Sequence, residues 1–287
     1  MKFVWEKFYQ LFLTIGMIAV IIALSVAIKA PRNEMFHIFL DQLQLYPGSL
    51  VYFNSITIQI NNSHFEQLST LMKEPYVYSL VILSISFLCS LIFALILSFC
   101  TFLLPNRLRK IVQDCLYFLQ SIPDVMFIFG TILFIIWIYQ KTDVLILDPI
   151  SGLDKVYVLP ILVVSILPGI MLSQMTMLAI EEESQKTYVE YAKTKGLTMG
   201  WILLNHIFRN VIVTLFSNIQ YFFWFLISNM LVVEYLFNTH GYFEFLYKII
   251  YQPEIFFVCL VFLFIPFYLF DIISKFIIVK LTGEELI

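Results

Sequence analysis

An all-α integral membrane fold, a bundle of six transmembrane helices, is what this sequence predicts, on three observations. The composition is 61% hydrophobic against 13% charged, with a mean hydropathy of +0.90, far too apolar for a water-soluble globule. Thirty Phe and sixteen Tyr suit lipid and the headgroup belt. Six charge-poor windows recur along the chain, each on the scale of the ~20 apolar residues that cross the hydrocarbon. None alternates as the strands of a closed barrel do.

The first window, residues 8–28, is bounded by Lys7 and Lys29. It is too long, and lacks the small-residue cleavage site, for a removed signal peptide, so a retained helix is expected. Residues 29–75 are the longest polar interval. Pro31, Pro47-Gly48 and Asn61-Asn62-Ser63, with the alternation Ser55-Ile56-Thr57-Ile58-Gln59-Ile60, predict a small external cap with a short strand. Five more windows come after it: 76–104, 115–139 interrupted by Pro123-Asp124, 156–180 with Pro160 and Pro168, 211–233 and 255–270. The organisation is an N-terminal transmembrane helix at 1–28, an external segment at 29–75 and a core at 76–287. A polar loop at 181–210 interrupts that core.

Loop charges set the expected orientation. With both termini inside, the cytoplasmic face collects eleven Lys and Arg, among them Arg107, Arg109, Lys110, Lys193 and Lys280, and the outer face six. Cys89, Cys100, Cys115 and Cys259 lie in or at the edge of apolar runs, without disulfide or metal spacing. There is no Gly-x-x-x-x-Gly-Lys-Ser/Thr, His-Glu-x-x-His or Gly-x-Ser-x-Gly, and the four His lie in separate segments. We therefore expect no catalytic residue, no metal, no cofactor bound by this chain and no nucleic-acid partner.

The loop is the most informative stretch. Thr187-Tyr188-Val189-Glu190 has the form of a capping box. A short helix ending at Gly196 is predicted, since glycine accepts the left-handed conformation at a helix end. Thr198 then caps a second helix on which Trp201, Leu204 and Phe208 form an apolar stripe. A bundle needs only a short turn here, so the segment reads as a contact for a partner on one membrane face.

These residues resemble the cytoplasmic coupling loop of bacterial ATP-binding-cassette importer permeases, most nearly the oligopeptide, dipeptide and nickel class. In that loop a Glu-Ala-Ala triplet is followed at a fixed offset by Gly, then by His-x-x-Arg-Asn. Here Glu190-Tyr191-Ala192, Gly196 and His206-Ile207-Phe208-Arg209-Asn210 occupy those offsets. Leu231-Val232-Val233-Glu234-Tyr235-Leu236-Phe237 followed by Gly241, Gln252-Pro253, Asp271 and Ser121-Ile122-Pro123 also match. The chain departs from the pattern at Tyr191, at His240 before Gly241 where the family has Pro, at its tail, and over residues 1–74.

The resemblance implies a multi-pass permease of the bacterial inner (plasma) membrane, with N- and C-termini cytoplasmic, that carries peptides. It implies a second homologous permease subunit, two cytoplasmic ATPase subunits that hold ATP and Mg, and an extracellular substrate-binding protein. The coupling residues are then Glu190, Tyr191, Ala192, Gly196, Trp201, His206, Phe208 and Arg209. A nickel or other metal-chelate importer is the alternative within the class. Asp124 and Glu234 have two readings each. Asp124 lines the translocation path or caps a helix restarted after Pro123; Glu234 acts at the gate or exits into the headgroups. A proton-coupled carrier built on either carboxylate, and a scaffold whose loop docks a soluble protein, are the competing classes. The 29–75 segment either meets the binding protein or covers the bundle mouth.

Overall fold

The structure, a computed structural model, describes residues 2–61, 64–144, 147–148 and 155–282. The expected turn at Asn62-Ser63 and the tail beyond Thr282 lie outside these. Two compact units divide the chain: Met1–Ser79 with His240–Ile272, and Leu80–Thr239 with Ile273–Glu285.

In the first unit, α1 (Lys2–Ala27) is the expected first span, and it packs against α2 (Met35–Val51). The sequence predicts no helix at α2 because Pro47-Gly48 reads as a turn. Pro47 instead falls one turn before the helix end, where a missing N–H deletes a single bond of the ladder. The expected strand is present as β1 (Thr57–Asn61), antiparallel to β2 (His64–Gln67), with Ile58 opposite Glu66. The chain then enters α3 (Leu68–Leu103). Beyond Thr239, α11 (Tyr242–Lys248) and α12 (Pro253–Thr282) as far as Ile272 belong to the first unit.

Aromatic side chains hold this unit together. Tyr46 stacks on Phe257 at 4.7 Å and Tyr76 meets Tyr242 edge-on at 5.0 Å. The buried Tyr242 is satisfied twice: its hydroxyl donates to the Cys259 carbonyl at 2.8 Å and its N–H to Ser79 Oγ at 2.7 Å. A tyrosine with a bonded hydroxyl adds apolar area without an orphan donor.

The second unit is built round α6 (Val158–Ser184), more than half of which is buried. Here α3 runs parallel to it. Ser86, Ser90 and Ser98 of α3 donate to the carbonyls of Ile161, Ser165 and Ser173, at 3.3, 2.9 and 2.9 Å, always 75 residues on. Small hydroxyl side chains let membrane helices approach closely and bond across the seam. Gly169 marks the tightest point: a Cβ there would lie 2.9 Å from the Phe93 ring and 3.4 Å from Ser90 Cα.

Two windows divide differently from the expectation. Residues 115–139 are not one span. Residues 115–120 close the amphipathic α4 (Asn106–Gln120), and α5 (Asp124–Thr142) begins after Pro123. Proline biases the residue before it toward extended backbone, which separates the two helices. The window at 211–233 falls into α9 (Phe208–Ser217) and α10 (Ile219–Phe237), broken at Asn218. Among the described residues seven helices, rather than six, are long and apolar enough to cross a membrane. The additional one is Met199–Ser217, with the lowest mean hydropathy, 1.3.

Candidate functional site

Between α6 and α9 the polar segment folds as two short helices. The first, α7 (Thr187–Thr194), has Lys186 as its N-cap, and no side chain caps it. Thr187 is the first helical residue, so the expected capping box does not form, and Glu190 stands exposed one turn in. Apolar patterning orients α7: Val189 and Ala192 are buried, while Tyr191 is 64% exposed with Lys195 Nζ 4.5 Å from its ring centre.

The helix ends as predicted at Gly196, with φ +81°. The Gly196 N–H donates to the Lys193 carbonyl at 2.9 Å and the Leu197 N–H to the Ala192 carbonyl at 3.4 Å. This is the paired closure of a Schellman turn, which requires the left-handed residue. A Cβ at Gly196 would meet nothing within 4 Å. The glycine is therefore needed for its backbone angle, not for close approach of the two helices.

Thr198 is the N-cap of α8 (Met199–Ile202), by position but without a side-chain bond. The helix continues through a π turn, Leu203–Ile207, into α9. That turn corrects the expected stripe. Trp201 and Leu204 are 46% and 63% exposed, but Phe208 packs edge-on against Phe99 of α3 at 5.3 Å. One extra residue in the wide turn rotates the remainder of the helix by about 100°. His206, exposed on the π turn, meets the Trp201 ring edge-on at 5.2 Å. The outward surface is thus Glu190, Tyr191, Trp201, Leu204 and His206, with Arg209 also exposed.

A buried carboxylate absent from the expected set fixes this pair to the bundle. Glu183, near the end of α6, is 9% exposed. It accepts from the Tyr188 hydroxyl at 2.8 Å and from Asn210 Nδ2 at 3.0 Å, and pairs with Lys186. One side chain thereby ties α6, α7 and α9. Burial first, then the hydrogen bond and charge of Glu183, push the Tyr188 hydroxyl up to about 12. The sequence does carry a signal for Glu183: three consecutive glutamates at 181–183 close an apolar helix, and helical spacing turns one of them inward.

Asp124 and Glu234 lie outside this assembly. Asp124 is the first residue of α5, half-exposed, where the free N–H groups of the first turn favour a carboxylate. Glu234, in the last turn of α10, is 1% exposed. No metal-holding cluster of His, Cys, Asp or Glu occurs among the described residues.

A helical membrane bundle carrying such an anchored, outward-facing helix pair is the architecture of a transport permease. Residues 86–282 match the family of binding-protein-dependent transport system inner membrane components, and the chain belongs to that family. It is the membrane permease component of an ATP-binding-cassette importer, a system in which ATPase and substrate-binding partners are separate components. Comparison with curated proteins finds no match.

Proposed function

We propose that this chain forms the translocation path of a peptide importer and that the helix pair α7–α8 transmits the movement of the ATPases to it. The partners are a second, homologous permease, two ATPase subunits that hold ATP and Mg, and an extracellular binding protein, with both termini of this chain cytoplasmic. No cofactor is bound by the chain itself. The observation that carries the coupling role is the division of labour in the loop. Val189, Ala192, Ile202, Leu203 and Ile207 are buried, Glu183 clamps the base, and large side chains with an exposed Glu190 face outward. Docking an ATPase there turns its displacement into a pull on α6 and α9. Peptides lead over metal chelates because none of the four His lies in an apolar window of the sequence.

The test is the backbone angle at Gly196. Valine resists φ +81°, at a strain of roughly 1–3 kcal/mol, too little to unfold the bundle. Gly196→Val is expected to insert normally and lose uptake, with ATP hydrolysis no longer tied to substrate. Gly196→Asn, which tolerates the left-handed region, retains most uptake. Full uptake by Gly196→Val at wild-type levels refutes the coupling role.

A further inference from the structure

Beside the coupling helices, a cleft of about 470 Å³ opens between the end of α3, the start of α4, the end of α6 and the α7–α8 pair. That size lies within the range of small-ligand sites, about 300–1,000 Å³. Arg109 lines the cleft. The guanidinium rests 4.4 Å from the centre of the Phe102 ring and donates one Nη–H to the Phe102 carbonyl. Among the described residues its Nε–H, closed off from solvent, has no acceptor, a condition that buried donors rarely keep. Lys193 of α7 also lines the cleft, and among the described residues it forms no ion pair. Two cations line one space, and one of them is a guanidinium that uses one Nη–H on the backbone.

We propose that this cleft binds a phosphodiester headgroup. A guanidinium fork matches the oxygens of phosphate in pairs, and an ammonium adds a point charge beside it. Glu181, also lining the cleft, calls for a donor next to the phosphate, which a headgroup hydroxyl supplies. Leu103, Leu104 and Met199 make an apolar sill, and Leu103 is 57% exposed, as fits a glycerol backbone entering from the bilayer. Exposed Arg107 and Lys110 on α4 raise the local concentration of anions. The site goes beyond the transport reading and does not depend on it. Binding is measured on the chain alone, so failure of the uptake experiment leaves it standing.

The full-length chain in a non-ionic detergent is titrated with dihexanoylphosphatidylglycerol, dihexanoylphosphatidylcholine, glycerol phosphate and inorganic phosphate, following thermal unfolding by tryptophan fluorescence. A saturable rise in melting temperature with dihexanoylphosphatidylglycerol is expected, with little response to dihexanoylphosphatidylcholine. Arg109→Gln and Lys193→Gln should each raise the half-saturating concentration about tenfold, and Arg109→Lys less. Lys193 is exposed, so Lys193→Gln keeps the fold and decides the matter if Arg109→Gln fails to purify. Saturation by glycerol phosphate or inorganic phosphate at the same concentrations, weakened by the same substitutions, upholds the phosphate site and makes its occupant a soluble anion. Equal half-saturation in wild type and both Gln variants overturns the proposal, as does an equal response to dihexanoylphosphatidylcholine.

Discussion

Glu183 sits where a membrane helix ordinarily gives up its last charge to water, yet it faces inward. Removing it leaves two donors, Tyr188 and Asn210, pointing at a void. Glu183→Ala is therefore expected to cost about 1–3 kcal/mol, lowering the melting temperature in detergent and reducing uptake. Glu183→Gln keeps an acceptor oxygen and loses only the Lys186 pair, so its melting temperature should fall between the two. Equal melting temperatures for wild type and Glu183→Ala would remove the clamp. A second buried carboxylate, Glu244, accepts from the His240 N–H at 2.7 Å, pairs with Lys248 at 2.8 Å and lies 3.1 Å from His240 Nδ1. Burial alone would raise its carboxyl, but the hydrogen bonds from Lys248 and His240 and the charge of Lys248 outweigh it and hold the group below the ordinary value. A depressed carboxylate stabilises the fold above its unfolded value and loses that contribution as pH falls through the folded one. The melting-temperature gap between wild type and Glu244→Gln should thus be widest near neutrality and close below about pH 4. A gap that widens on acidification contradicts the sign.

At the level of elements, the parallel α3–α6 seam depends on small residues at four-residue spacing. Gly169→Val places methyl groups where the Phe93 ring and Ser90 backbone already stand, and overpacking of this kind costs about 1–3 kcal/mol. Loss of stability without loss of ATPase association is the expected result. Normal stability would show that α3 yields. The elements legible in the sequence are those written by composition over many residues: the long apolar spans, and the helix end at Gly196, where one residue type meets one backbone requirement. The third and fifth windows depart from the expectation for a common reason. Hydropathy records that residues are apolar, not that the helix stops at Pro123 or at Asn218. The site is half legible. Tyr191, Trp201 and His206 are exposed as a docking role needs, but the inward turn of Phe208 comes from a π turn, and no periodicity announces an inserted residue. Glu183 and Asn210 are out of reach as a pair, because their bond joins positions 27 residues apart.

For the whole molecule the open quantity is the number of crossings. If Met199–Ser217 crosses by itself, the chain crosses seven times and its termini lie on opposite sides. The geometry of the second unit argues otherwise. Asn210 meets Glu183 at one end of α6, and both α9 and α10 pack along that helix. From Asn210 to Phe237 a helical path runs about 42 Å, against about 40 Å for α6. Only Asn218 separates α9 from α10, and one residue does not reverse a helix, since antiparallel neighbours need about 2–5. α9 and α10 are therefore one broken crossing antiparallel to α6, and α8 with the π turn lies before it. Six crossings put positions 184 and 280 on one side and positions 62 and 148 on the other, and the Lys and Arg asymmetry leads us to propose that the first side is the cytoplasm. Single cysteines at these four sites, in a chain lacking Cys89, Cys100, Cys115 and Cys259, are to be tested with a membrane-impermeant maleimide on intact cells. Labelling at 62 and 148 with protection at 184 and 280 is expected. Labelling at 280 with protection at 184 would make Met199–Ser217 a seventh crossing, and labelling at 184 would carry the coupling helices to the wrong face for any ATPase.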